Sequence, residues 1–387
     1  MSNDLPTSFP MVRAIKISYS ELKDKEQDLS AKIEEGFGPS GLAIIAISDV
    51  PGYALLRQNL LCLSGRLASL PEDAKKGLED PDSRYNLGWS FGKEKLKTGK
   101  YDTFKCSFYA NPVVDIPTTD SSLLKRYPLY CRPNIWPTNA LPELELAFKS
   151  LSKLMLDVGL LLAYHCSRYV SEDAKMYGNE DLEHIIQRSR CPKGRLLYYL
   201  PVQQSEFKED ACSMPSWSDW HTDFCCLTGL TSGMYMRNNE KVTCPDGASG
   251  LYVRTRNDQI VKVVFGEDEI AYQIAETGDV LSRGRLCATP HSVQAPTGEK
   301  AYGVGRSTFV LFLQPDWDEI LNFPEEIPHH LKSASPNETL TYGEYSMRRL
   351  DAHSIPEHKN LWHLYIIAVL NLCNLARKQR LVSKGVF

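Results

Sequence analysis

The stretch that most limits the fold runs from Gly194 to Leu313, where short apolar runs alternate with turn residues. Residues 194–202, 228–236, 251–255, 260–265, 271–275, 280–283 and 307–313 each read as a short strand. The breaks fall at Asn238-Asn239, Pro245-Asp246-Gly247, Asn257-Asp258, Gly266-Glu267-Asp268 and Gly278-Asp279. Many short strands with turns between them argue for a β-sandwich or barrel.

Upstream the texture is mixed. Residues 19–35 and 55–70 carry apolar residues at helical spacing, and 42–47 reads as a buried strand closed by Pro51 and Gly52. Residues 142–170 make the strongest helix. Leu151, Leu154, Leu156, Leu160 and Leu161 give it a broad apolar face, and Pro142 suits its start. A short helix is expected over 183–189. Residues 83–109 look irregular, 112–142 looks like a surface connection, and the tail from Ile320 is Pro-rich, then polar, then helical. Residues 361–376 are too short to span a bilayer and carry His363, Asn371 and Asn374, so they read as an amphipathic helix.

A chain of 387 residues suffices for one large domain with appended elements, or for two. A net charge of −4 gives no bulk case for nucleic acid or an anionic membrane as partner. The polar residues 1–10 lack the apolar core of a signal peptide. The 11 cysteines form no C-x-x-C pair and are odd in number. They fit reduced, mostly buried thiols in a cytoplasmic protein, with Cys225 and Cys226 as packing residues.

Four segments carry chemistry. In Trp220-His221-Thr222-Asp223-Phe224, residues i and i+2 of a strand share a face, which sets His221 beside Asp223. Thr289-Pro290-His291-Ser292-Val293 offers a second imidazole. Two His and one carboxylate occupy one face of an octahedral metal and leave the other open. Arg306 and Thr308 share a face of an otherwise apolar strand, so Arg306 needs an anion, either a protein carboxylate or a dicarboxylate ligand. Tyr199, in Leu197-Tyr198-Tyr199-Leu200-Pro201, points the same way if Leu197 does, unless it is simply an aromatic core residue.

In this order the motifs H-T-D, G-D-x-L, P-H-S-V and R-S-T-F, ending at Gln314-Pro315, resemble the isopenicillin N synthase-like branch of the 2-oxoglutarate/Fe(II) dioxygenases. The resemblance covers roughly residues 194–315, and more weakly the N-terminal portion. It implies an α+β fold with a double-stranded β-helix (jelly-roll) core flanked by helices. The implied layout is an N-terminal mixed region over 1–120, a linker and long helix over 121–190, the catalytic core over 191–318 and a helical extension over 319–387. It also implies Fe(II) on His221, Asp223 and His291, and 2-oxoglutarate held by Arg306, Thr308 and Tyr199. O₂ would be the second cosubstrate and a small organic molecule the substrate, hydroxylated or desaturated, with succinate and CO₂ as co-products.

The sequence departs from the family pattern in three places. Leu197 stands where the family has Asn, and Thr308 where it has Ser. Seventy positions separate His221 from His291 and fifteen separate His291 from Arg306, which points to insertions near 237–250 and 295–305. Trp217, Trp220, Phe224 and Tyr252 are available to wall a site, with core packing the plainer expectation. Other readings of the same residues are a same-fold Fe(II) oxidase without 2-oxoglutarate, a non-catalytic ligand-binding jelly roll, and a zinc hydrolase.

Overall fold

A computed structural model describes residues 9–94, 99–171, 181–201, 216–238, 240–325 and 334–354. The architecture is mixed α+β, built on two large facing sheets. The N-terminal region supplies β1 (Met11–Arg13), β2 (Ile15–Ser18), β3 (Ile44–Ser48), β4 (Gly88–Phe91) and β5 (Lys105–Ala110). Then follow β6 (Lys193–Tyr199), β7 (Ser216–His221), β8 (Leu227–Thr231), β9 (Met234–Arg237), β10 (Glu240–Val242), β11 (Gly250–Arg254), β12 (Ile260–Val264), β13 (Ile270–Ile274), β14 (His291–Gln294) and β15 (Gly305–Leu313).

The smaller sheet has the order β1-β12-β11-β14-β7, and the larger β2-β3-β13-β8-β15-β6-β5-β4, with β9 paired to β15 and β10 to β9. From β6 onward the chain passes back and forth between sheets: β6 in the larger, β7 in the smaller, β8 to β10 in the larger, β11 and β12 in the smaller. β13, β14 and β15 then alternate larger, smaller, larger. Pairing is antiparallel throughout this run, and only β1 on β12 and β2 on β3 are parallel.

Apolar residues fill the space between the sheets. Ile44, Ala46 and Ala271 of the larger sheet meet Val253, Val261 and Val263 of the smaller. The outer face of the larger sheet is covered by the long helix Glu143–Ser171. Its buried residues Leu144, Phe148, Leu151, Met155, Val158 and Leu162 recur at helical spacing. Phe148 meets Phe309 edge-on at 5.0 Å, and the Tyr272 hydroxyl donates to the Met155 carbonyl at 2.5 Å. Each such side chain is worth roughly 1.5–3 kcal/mol of burial. Together they hold β15, β8 and β13 as a rigid back wall.

Several expectations need correction. The strand expected over 228–236 is two, broken at Ser232-Gly233, because a Cβ at Gly233 would overlap the Arg306 guanidinium. Residues 280–283 are not a strand. The helix Glu276–Leu281 takes that place, since Gly278 must pack against the Cys226 carbonyl and two apolar residues cannot distinguish a helix from a strand. Residues 83–109 hold β4 and β5 rather than irregular chain. The two early helical stretches are each split in two, Tyr19–Lys23 with Ser30–Phe37 and Tyr53–Leu61 with Leu63–Ala68. The connection over 112–142 contains the short helices Ser121–Arg126 and Pro128–Cys131. Cys225 and Cys226 precede β8 rather than lying on a strand; both are buried, and the nine described cysteines are free thiols.

Beyond β15 lie the hairpin β16 (Ile320–Asn322) and β17 (Thr339–Thr341), then the helix Tyr342–Ser354. The helix expected over 361–376 lies outside the described residues. Among those described, no helix is long and apolar enough to cross a membrane.

Candidate metal and cosubstrate site

The strand bearing His221 ends there, so Asp223 sits in the turn that follows rather than on the same strand. The turn still delivers the carboxylate. His221 Nε2 is 3.8 Å from Asp223 Oδ1, and His291 Nε2 is 4.0 Å from Asp223 Oδ2. His291 opens β14 directly opposite His221 on β7, and the ring centroids are 4.3 Å apart. The three donor atoms lie within 4.8 Å of one another, close enough for one ion to touch all three.

Buried contacts orient each donor. His221 Nδ1 donates to the Asp219 carbonyl at 2.7 Å, which leaves Nε2 as a free base. Thr228 Oγ1 donates to Asp223 Oδ2 at 2.7 Å, and the Asp223 carbonyl accepts from the Glu276 backbone at 2.9 Å. The Gln273 side-chain amide lies 3.1 Å from His291 Nδ1. Burial, followed by the neighbouring His291, pushes the His221 pKa down to about 4, and burial likewise lowers that of His291. Both imidazoles are therefore neutral near pH 7, the state in which they bind a metal.

These donors open onto a cavity of ≈ 240 Å³ between the sheets, which Arg306, Thr308 and Tyr199 also line. Arg306 is 7% exposed, and no carboxylate among the described residues pairs with it; its Nε and Nη1 lack any hydrogen-bond partner. An unpaired buried guanidinium costs several kcal/mol, so this one calls for an anion from outside the protein. The donor set and this orphaned cation together fit a divalent metal with an acidic chelating ligand. Tyr199 stacks on Trp217 at 4.8 Å, and the guanidinium lies 5.3 Å from the Tyr199 ring centroid. Thr308 Oγ1 already donates to the Thr231 carbonyl at 3.1 Å, so it faces a ligand as an acceptor unless its proton turns.

Leu197 lines the cavity as an apolar residue. Trp217, Trp220, Phe224 and Tyr252 are absent from its described lining and serve packing. The two insertions lock onto each other. Asp246 Oδ2 accepts from the Thr297 backbone at 2.6 Å, and Arg237 donates to the Lys300 carbonyl at 2.8 Å. The first of them supplies Ser249 and Gly250 to the cavity edge, beside Tyr235 of β9. Sequence reasoning missed Thr228, Gln273, Lys105 and Arg195. The first two carry no motif. Lys105 and Arg195 flank apolar strand residues, and the one available signal was a charge inside such a strand.

No family model matches the sequence, and no curated protein matches it. Solved structures do. The chain superposes on full-length Neurospora crassa T7H in complex with alpha-KG with a TM-score of 0.62 and 17% identity, covering 87% of this chain and 95% of that one. A putative 2OG-Fe(II) oxygenase family protein from Caulobacter crescentus gives 0.62 and 17%, over 88% and 99%. JOX2 in complex with 2OG, Fe and JA gives 0.57 and 14%, over 89% and 86%. The fold is therefore that of the 2OG-Fe(II) oxygenases.

Proposed function

We propose that this protein is a non-haem Fe(II)- and 2-oxoglutarate-dependent oxygenase that oxidises a small organic molecule. The observation that carries the proposal is the unpaired Arg306 guanidinium facing the same cavity as His221, Asp223 and His291. We read the back-and-forth path of β6 to β15 as a double-stranded β-helix, and the ordered motifs favour the isopenicillin N synthase-like branch. Structural neighbours crystallised with 2OG, and in one case with Fe, support the same reading.

When bound, iron and 2-oxoglutarate supply O₂ activation, with succinate and CO₂ as co-products. The protein's own tasks follow from the geometry. His221, Asp223 and His291 hold the metal on one face and leave the other to ligands. Arg306 grips the distal carboxylate of 2-oxoglutarate in a charge-assisted, two-pronged contact, with Tyr199 beside it. Leu197, Leu251, Val293 and Val310 give the cavity apolar walls that keep water from the reacting centre.

The test is anaerobic titration with Fe(II) and then 2-oxoglutarate, followed by visible absorption, and a metabolite screen for turnover-linked succinate. Arg306→Met is expected to keep metal binding and lose 2-oxoglutarate binding by about a hundredfold, in line with the ~3 kcal/mol of a buried charged contact. Full 2-oxoglutarate affinity in that variant, or no metal bound by the native chain, sinks the reading.

A further inference from the structure

Besides Arg306, three basic residues line the cavity wall: Lys105, Arg195 and Lys262. The single carboxylate among its described lining is Asp223, a metal donor. Lys262 stands apart from the other two, on β12 of the smaller sheet, with its Nζ donating to the Gly247 carbonyl at 2.5 Å. Lys105 and Arg195 remain. We infer that they form a second anion subsite, and that the molecule this enzyme oxidises carries a carboxylate which they bind. The inference rests on the oxygenase reading above and adds the substrate class to it.

Register sets the geometry. Strands β5, β6 and β15 are adjacent, with Lys105 opposite Tyr199 and Tyr199 opposite Arg306. Adjacent strands are about 4.8 Å apart, so Lys105 and Arg306 stand about 10 Å apart along one row of the wall. The two cations also face different partners, Lys105 the Asp102 and Glu94 carboxylates and Arg306 the Tyr199 and Trp217 rings, so they define two separate positions on the wall. Arg195 lies opposite Tyr109 and four residues before Tyr199, on the same face.

The cations are pre-positioned from behind. Lys105 Nζ lies 2.5 Å from Asp102 Oδ2 and 3.4 Å from Glu94 Oε2. Arg195 Nη2 donates to Glu94 Oε1 at 2.6 Å and its Nε to Ser107 at 3.0 Å, while the Tyr109 hydroxyl donates to Glu94 at 3.1 Å. Glu94 and Asp102 line a separate small pocket and are absent from the described lining of the main cavity. The cluster thus presents its cations to the main cavity and its carboxylates to the small pocket behind, with Lys105 lining both. A network serving stability alone has no need of that polarity, and well-packed apolar residues would serve as well or better. A planar carboxylate matches the Arg195 fork, with the Lys105 ammonium as a second donor.

The test compares phenylacetate with phenylacetamide, which share a skeleton and differ in charge. Binding to the full chain is measured by saturation-transfer NMR, once with Fe(II) and 2-oxoglutarate under anaerobic conditions and once without metal. Phenylacetate is expected to bind at least about tenfold more tightly than the amide. Lys105→Met and Arg195→Met should each remove that preference, while Lys105→Arg keeps it and shows that charge rather than folding is read. Arg306→Met should leave it unchanged in the metal-free arm. Equal binding of acid and amide, loss of preference only in Arg306→Met, or no saturable phenylacetate binding overturns the subsite. If Fe(II) and 2-oxoglutarate fail to load, the oxygenase reading fails instead, and the metal-free arm still decides the subsite.

Discussion

At Gly233 a missing side chain leaves room for the Arg306 guanidinium. Its backbone passes so close to Arg306 that any Cβ would displace the guanidinium. Gly233→Ala should therefore raise the Kd for 2-oxoglutarate about tenfold while leaving metal affinity intact, measured by paired titrations of metal and cosubstrate. Gln273 supports the other end of the site. Its Oε1 is buried and unpartnered while its nitrogen faces His291 Nδ1. Turning the amide over lets Nδ1–H donate to Oε1 and fixes the Nε2 lone pair toward the metal. Gln273→Leu should weaken Mn(II) binding by about 10–100-fold with the thermal midpoint little changed. Unaltered Mn(II) affinity would assign Gln273 to packing alone. The sequence made the three donors and Arg306 legible because each is a charged or metal-binding type in an apolar frame. Gln273, Thr228 and Gly233 were not legible, since their roles depend on neighbours 18, 5 and 73 positions away that only folding brings close.

Among the elements, the helix Tyr342–Ser354 is tied to the metal turn by a buried relay. Arg349 Nη2 donates to Glu276 Oε1 at 2.6 Å and the Tyr345 hydroxyl to Glu276 Oε2 at 2.5 Å, and the Glu276 backbone holds the Asp223 carbonyl. Removing one partner of such a pair strands a buried charge. Arg349→Met should cost about 3–5 kcal/mol in denaturant unfolding and loosen metal binding as well. A shift within 1 kcal/mol, about the worth of an exposed pair, would refute the relay. The core strands were legible because turn residues bracket them. β5 was not, although Lys, Ser and Tyr alternate there with Cys, Phe and Ala at strand period, because the run is short and follows a Gly- and Lys-rich stretch that reads as irregular chain. The helix Glu276–Leu281 was equally hidden, because its start depends on contacts with the metal turn rather than on a capping side chain.

The whole molecule should respond to acid in two stages. His165 is buried with its Nε2 on the Leu22 carbonyl, and burial lowers its pKa. Below the unfolded value near 6.5 the unfolded chain binds the extra proton, so stability present above that pH falls as pH drops toward the folded value. Glu94 is held down at about 2: desolvation would raise it, but Arg195 and Lys105 outweigh that, and because its side chain is 43% exposed, water screens its share of the stability. Its contribution is present above about pH 4.5 and is lost as pH falls toward 2. Thermal midpoints measured against pH should show both declines, with His165→Gln flattening the first and Glu94→Gln the second. A single decline unaffected by either variant would rule this out. One further consequence concerns synthesis of the chain. Strand β15 sits between β6 and β8 in the larger sheet yet comes last of the core strands in the sequence. Until it leaves the ribosome, β6 and β8 both present bare hydrogen-bonding edges, and Arg306 arrives with the strand that closes them. In the proposed function, cosubstrate capture and protection from aggregation are thus completed by one late insertion. A nascent chain halted before Gly305 should depend on holding chaperones and bind no 2-oxoglutarate.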